Sequence, residues 1–359
     1  MNKAAEHRLR EAFKSQAWHC GKLDSPFMDR WCAMFAEHLD PQNPVMKTMI
    51  AWPGDPSSRQ HALPLRLMAA LHKLVLEGKS EELKKLFPPS TPPEDDRELW
   101  HRLVPILEQH KDDILTHIQL PPQTNEIRRS CALLPGFLHI ANLAPNMPFV
   151  ISELGASAGL NLNFDRYHYQ LGDLVWGHEN SDIHFAPDWK GPSLSAQDIY
   201  IRERRGCDLR PTNIQNEDQV TSLLSYLWAD QQIRLERTRK ALNCARQHPY
   251  TVDKMDAIDW LQERLSHRHT GAIHAIFHTI AWQYFPKAAQ EKGTALIEEA
   301  GKRATMDAPL AWLTMEADDN PNGAALTLRM WPKNIMGDGT HHLGRADFHG
   351  RWIDWRNKN

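Results

Sequence analysis

Apolar residues recur three and four positions apart through residues 1–145, the spacing of helices that bury one face. Ser25 and Pro26 form an N-cap and first-turn pair for a helix that aligns Phe27, Trp31, Met34, Phe35 and Leu39, and Asp40-Pro41 ends it. A second helix starts near Pro64, turns Leu65, Met68, Leu71, Leu74 and Val75 inward, and stops at Gly78. Ser80 then opens a short continuation. The proline-rich run 87–93 is a connector, and a helix over 98–118 is expected to kink at Pro105 and stop at Pro121-Pro122. Thr124 is the expected cap of a further helix from Asn125 to Leu134.

The pattern changes at Phe149, where short apolar runs begin to alternate with helical stretches. Strands are expected over 149–154, 200–208, 250–257, 272–279 and 309–316, with helices from Leu160 and over 217–247, 258–265 and 286–304. Asn320-Pro-Asn-Gly323 then turns the chain into an antiparallel strand over 325–331, placed at or near a sheet edge. Tyr167, Tyr169 and Leu171 before Gly172-Asp173 predict a β-hairpin insert near 166–198. The fold expected is therefore α/β: a helical N-terminal domain over 1–145, then a mostly parallel open sheet over 146–359 ending in an antiparallel hairpin strand.

Composition narrows the partners. A formal net charge of -3 gives no global attraction to nucleic acid or an anionic membrane, no apolar run reaches the length of a membrane span, and the charged first ten residues lack a signal core. A cytoplasmic protein acting on a small molecule is expected, with neither nucleic acid nor membrane as partner. Five scattered cysteines favour reduced thiols, and His267, His269, His341 and His342 lack the carboxylate spacing of a metal site, so no metal is expected.

The chemistry concentrates at Glu153-Leu-Gly155-Ala-Ser157-Ala-Gly159, a glycine-rich turn directly after the first strand. Its inner Gly-x-Ser-x-Gly fits a hydrolase elbow with Ser157 as nucleophile and Asp347 and His349 as later partners, but such an elbow follows several strands. As the first strand of a doubly wound sheet, the segment fits a nucleotide turn better. Asp208 and Asp256 end the next two strands, so three carboxylates line one edge, and a second-strand acid suits two ribose hydroxyls.

Glu153, Gly155 and Gly159, then Asp208, then Asp256-Ala257, together with the terminal antiparallel strand, resemble a class I S-adenosylmethionine-dependent methyltransferase. More narrowly, Thr124-Asn-Glu126, Glu153 to Leu162, Arg205-Gly-Cys-Asp208, Trp228-Ala-Asp-Gln231, Phe277-His-Thr279 and His349-Gly350 resemble a bacterial family, the domain of unknown function numbered two-three-three-two. These resemblances imply a Rossmann-like methyltransferase sheet with S-adenosylmethionine as cofactor. They place its methionine part at Glu153, Gly155, Ser157 and Gly159, its ribose at Asp208 and its adenine at Asp256 and Ala257. Ser157 stands where the methyltransferase pattern has a glycine, which motivates an alternative: a fold retained as a binding module without catalysis.

Past the fourth strand, His278 is the candidate base for a methyl acceptor, with Asn125, Glu126, Arg129, Thr279 and His349 on the substrate side. The plainer alternatives are a hydrogen-bonded histidine at a buried strand end and, for Asn125, Glu126 and Arg129, a solvated helix face.

Overall fold

The computed structural model describes residues 3–357, which divide into two units. The chain passes between them after Thr124, Ile214 and Arg237, so residues 125–145 belong to the unit that holds the sheet.

The first unit, residues 3–124 with 215–237, contains no strand among the described residues. Its helices are α1 (Lys3–Lys22), α2 (Pro26–Glu37), α3 (Pro44–Ile50), α4 (Leu63–Leu76), α5 (Glu81–Lys84), α6 (Asp96–Gln109) and α7 (Lys111–His117), joined by a later helix, Glu217–Ser225. Ser25 and Ser80 cap α2 and α5 through their hydroxyls, as expected. Phe13, Trp31, Phe35, Met46, Leu67, Leu71, Leu103 and Ile114 are buried in one core, where each large side chain contributes roughly 1.5–3 kcal/mol. The predicted 98–118 helix breaks at His110, between α6 and α7, while Pro105 lies inside α6.

The predicted 217–247 helix is also two. α9 is Glu217–Ser225 and α10 is Gln232–Gln247, and the turn between them carries Trp228-Ala-Asp230-Gln231. Asp230 accepts from the Ser25 hydroxyl at 2.7 Å and the Phe27 amide at 3.1 Å, and the Gln231 amide donates to the Leu23 carbonyl. That motif is a clamp on the start of α2.

The second unit begins with a 3-10 turn, Ile127–Arg129, and then α8 (Ser130–Leu143). Glu126 rather than Thr124 is the cap, accepting from the Arg128 amide, and the helix runs through Pro135-Gly136. The strands are β1 (Phe149–Leu154), β2 (His168–Leu171), β3 (Leu174–Gly177), β4 (His184–Phe185), β5 (Asp188–Lys190), β6 (Ile201–Asp208), β7 (Thr251–Lys254), β8 (Ile273–Thr279), β9 (Leu310–Glu316), β10 (Ala324–Trp331), β11 (His341–Ala346) and β12 (Trp352–Trp355). Helices α11 (Ala257–Arg264) and α12 (Lys287–Lys302) sit between β7 and β8 and between β8 and β9.

Nine strands form one sheet in the order β5-β12-β11-β10-β9-β8-β1-β6-β7, and β2 and β3 make the predicted hairpin of a separate small sheet with β4. β1, β6, β7, β8 and β9 are parallel to their neighbours in this run. Every residue of β1 and of β8 is buried, as in a parallel strand covered on both faces. β10 does run antiparallel to β9, but it is not an edge strand, because β11, β12 and β5 continue the sheet beyond it. Among the described residues no helix is long and apolar enough to cross a membrane.

Candidate functional site

From β1 the chain builds sideways to β6 and β7 and then returns to the other side of β1 as β8, so the order reverses between β1 and β8. Ligands in open α/β sheets bind outside the carboxyl ends of the strands at such a reversal. Glu153, Asp208, Thr279 and Glu316 all lie at those ends.

Glu153 pairs in register with Gly206 on β6 and Phe277 on β8, neither of which can balance a charge. Its residue exposure is 3 %, and Oε2 is buried with no hydrogen-bond partner. Asn161 hydrogen bonds to the carboxyl; its own Oδ1 accepts from the Ser130 hydroxyl, so the amide NH2 is the donor toward Glu153. Burial lifts the Glu153 pKa to about 8; Asn161 opposes this, nearby Asp208 reinforces it, and Arg129 opposes it. At neutral pH the carboxyl is mostly un-ionised.

After Gly155 (φ 65°) the turn is stitched to the end of β6. The Ala156 amide donates to the Cys207 carbonyl, the Ser157 amide to Asp208 Oδ2 at 2.9 Å, and the Thr212 amide to the Ser157 carbonyl. Asp208 Oδ1 accepts from the Arg210 amide. Ser157 occupies the left-handed region at φ 55°, and its Oγ is buried without a partner. Gly159, at φ 74°, leaves room for the Tyr250 ring, which a Cβ would meet at 2.4 Å. The Tyr250 hydroxyl donates to the Ala158 carbonyl.

No α-helix follows this turn. The predicted helix from Leu160 is a 3-10 segment, Leu160–Arg166, with a non-helical break at Asn163. Residues 160–164 are all buried, with apolar Leu160, Leu162 and Phe164 alternating with Asn161 and Asn163, an alternation that a helix face does not give, and the two asparagine side chains bond into the interior. Asn125 Oδ1 accepts from the Leu160 amide, so the residue expected on the substrate side holds the start of this segment. Glu126 Oε1 accepts the Arg128 amide of its own turn.

Asp256 is exposed and caps α11 through Oδ1, and Ala257 is that helix's first residue. Across the reversal, Arg129 donates to the carbonyls of Thr279 and Phe348, which brings the Thr279 and His349 segments together. His278 is a hydrogen-bonded histidine at a buried strand end. The Trp312 indole donates to Nε2 at 3.0 Å, so Nδ1 carries the proton and donates to Glu316 Oε1 at 2.7 Å. Neither ring nitrogen is left to take a proton from an acceptor in this arrangement.

Glu316, which ends an apolar strand just as Glu153 does, has a role that the pattern alone did not reveal. Its Oε1 also accepts the amides of Ala281 and Trp282 and so anchors the loop after β8, where Ile280 takes φ 50°. Burial pushes its pKa up, but the His278 bond and the two amides hold it below the usual carboxylate range. A β-branched residue at positive φ is strained, and the strain sits at the mouth of the reversal.

An elbow hydrolase finds little here. Ser157 Oγ has no base bonded to it, and the Asp347 carboxylate is taken by Arg351 and by the amides of His349 and Arg351. The five cysteines are free thiols. Among the described residues no three His, Cys, Asp or Glu side chains converge to hold a metal ion.

No curated protein and no solved structure matches the chain. Residues 10–355 match one bacterial family model. The chain belongs to the bacterial family described as "uncharacterized protein conserved in bacteria (DUF2332)".

Proposed function

We propose that the protein binds S-adenosylmethionine at the turn after β1 and transfers its methyl group to a small molecule. The observation that carries this reading is a pair of buried polar atoms without hydrogen-bond partners, Glu153 Oε2 and Ser157 Oγ, beside Asp208 at the end of the adjacent strand. An unsatisfied buried polar atom costs roughly 1–3 kcal/mol, so a turn that keeps two of them is suited to a polar ligand that bonds to them.

The charge at this edge favours that ligand over a pyrophosphate-bearing dinucleotide. A pyrophosphate is served by the positive end of an α-helix after the turn, whereas here a 3-10 segment follows and carboxyl groups surround it. A nucleoside with a sulfonium and an ammonium suits an acidic edge. Asp208 accepts one amide on each oxygen and keeps a lone pair on each for ribose hydroxyls, while Asp256 keeps Oδ2 for an adenine amino group. The bound cofactor supplies an already activated methyl group, so the chain's task is to orient donor and acceptor and to exclude water. His278 and Glu316 serve as posts for the loop that borders the reversal.

Titration calorimetry with S-adenosylmethionine tests the proposal. Binding that weakens tenfold or more in Asp208→Ala is expected, a loss of about 1.4 kcal/mol. No heat at high micromolar ligand, or equal binding by the variant, contradicts it. Binding without turnover on any extracted metabolite would assign the fold to the binding-module alternative.

A further inference from the structure

The helical unit holds a cavity that the cofactor reading does not use. Its volume is about 360 Å³, within the roughly 300–1,000 Å³ of small-molecule sites. Lys73, Leu74 and Glu77 line it from α4, His117 from α7 and Asp218 from α9, and every lining residue belongs to this unit. Its charges form a chain. Lys73 Nζ lies 2.7 Å from Glu77 Oε1 and 2.5 Å from Asp218 Oδ1, and Lys79 Nζ lies 3.1 Å from Glu77 Oε2 and 2.7 Å from Asp113 Oδ1. Each lysine is thus held between two carboxylates, and Asp112 adds a further carboxylate to the lining. Acidic groups outnumber basic ones, so the cavity draws a cation rather than an anion. Among the described residues no metal-ligand cluster forms, so an organic cation suits it.

His117 adds a different chemistry to the same lining. Its residue exposure is 5 %, its ring stacks on Tyr226 with centroids 5.6 Å apart, and Nε2 is buried with no hydrogen-bond partner. A buried polar atom is ordinarily bonded, so the ring invites a polar group on a ligand. Burial and the Lys73 charge push its pKa down to about 4, against the pull of Glu77 and Asp218, so at neutral pH the imidazole is uncharged and offers one donor and one acceptor. Ala70, Leu74 and Leu120 give the cavity its apolar surface. We propose that this cavity binds an aliphatic amine with a hydrogen-bonding group at its far end: the ammonium among Glu77, Asp113 and Asp218, the carbon chain along Leu74 and Leu120, and the far group on the His117 ring. The site is separate from the turn after β1 and does not depend on what binds there.

Titration calorimetry of the full chain with 5-amino-1-pentanol, at low ionic strength and neutral pH, tests the assignment. Saturable binding at millimolar ligand is expected, several-fold weaker for pentylamine, which lacks the hydroxyl, and absent for 5-hydroxypentanoate, in which a carboxylate replaces the amine. Asp218→Asn alters an exposed side chain and should weaken both amines several-fold. His117→Phe keeps an aromatic ring against Tyr226 and should lower the amino alcohol to the affinity of pentylamine while leaving pentylamine unchanged. If that variant does not fold, Asp218→Asn and the comparison of the two amines carry the test. No binding of the amino alcohol, equal binding of the two amines by the unmodified protein, unchanged binding in Asp218→Asn, or tighter binding of the hydroxy acid overturns the proposal.

Discussion

Glu153 ties the site to folding stability. Its carboxyl titrates near 8 in the folded chain and near 4.5 when unfolded, so between those values the folded state binds more protons and loses stability as pH rises. At one pKa unit per 1.36 kcal/mol, the loss by pH 7 is on the order of 3 kcal/mol. Denaturant unfolding at pH 5 and pH 8 should therefore show Glu153→Gln gaining stability relative to the unmodified protein as pH rises. Parallel pH profiles for the two proteins would contradict the buried, unpartnered carboxyl. The position of this residue was legible from its place after an apolar run and before a glycine turn. Its protonation was not, because burial, Asn161 and Asp208 come from segments that only the fold brings together.

At the scale of elements, the alternation of Leu160, Leu162 and Phe164 with asparagines is the sequence sign that a 3-10 segment and not an α-helix follows the turn. In α8 the local sign misleads. Pro135-Gly136 has the look of a stop, yet Gly136 lies where a Cβ would come within 2.6 Å of the Leu313 side chain on β9, so the glycine permits close packing of helix on sheet. Gly136→Ala should overpack that contact and cost roughly 1–3 kcal/mol in denaturant unfolding. An unchanged midpoint would show that Leu313 yields and that the close approach is not needed. The capping residues Ser25 and Ser80 were legible because a cap is a local interaction. The Asp230 clamp on α2 was not, since its partners lie some two hundred positions apart in sequence.

For the whole molecule, the five strands β1, β6, β7, β8 and β9 and their parallel pairing were legible from short strand runs alternating with helical stretches, whereas their order in the sheet, β7-β6-β1-β8-β9, comes from the fold. The far side of the sheet was not legible. β5 and β12 are three and four residues long, and β11 mixes histidine, glycine and arginine, so none carries a buried-strand pattern. The two-unit division likewise depends on the chain returning to the helical unit at 215–237, which no local pattern announces. The proposed function therefore rests on one edge of one sheet, where Glu153, Ser157 and Asp208 lie.

Hydrogen exchange of the full chain with and without S-adenosylmethionine tests that claim most directly. The account predicts slowed amide exchange in residues 153–161 and 206–212, whose amides hold the turn to Asp208 and to the end of β6. Unchanged exchange in both segments at saturating ligand, or protection confined to the insert at 166–198, would contradict it.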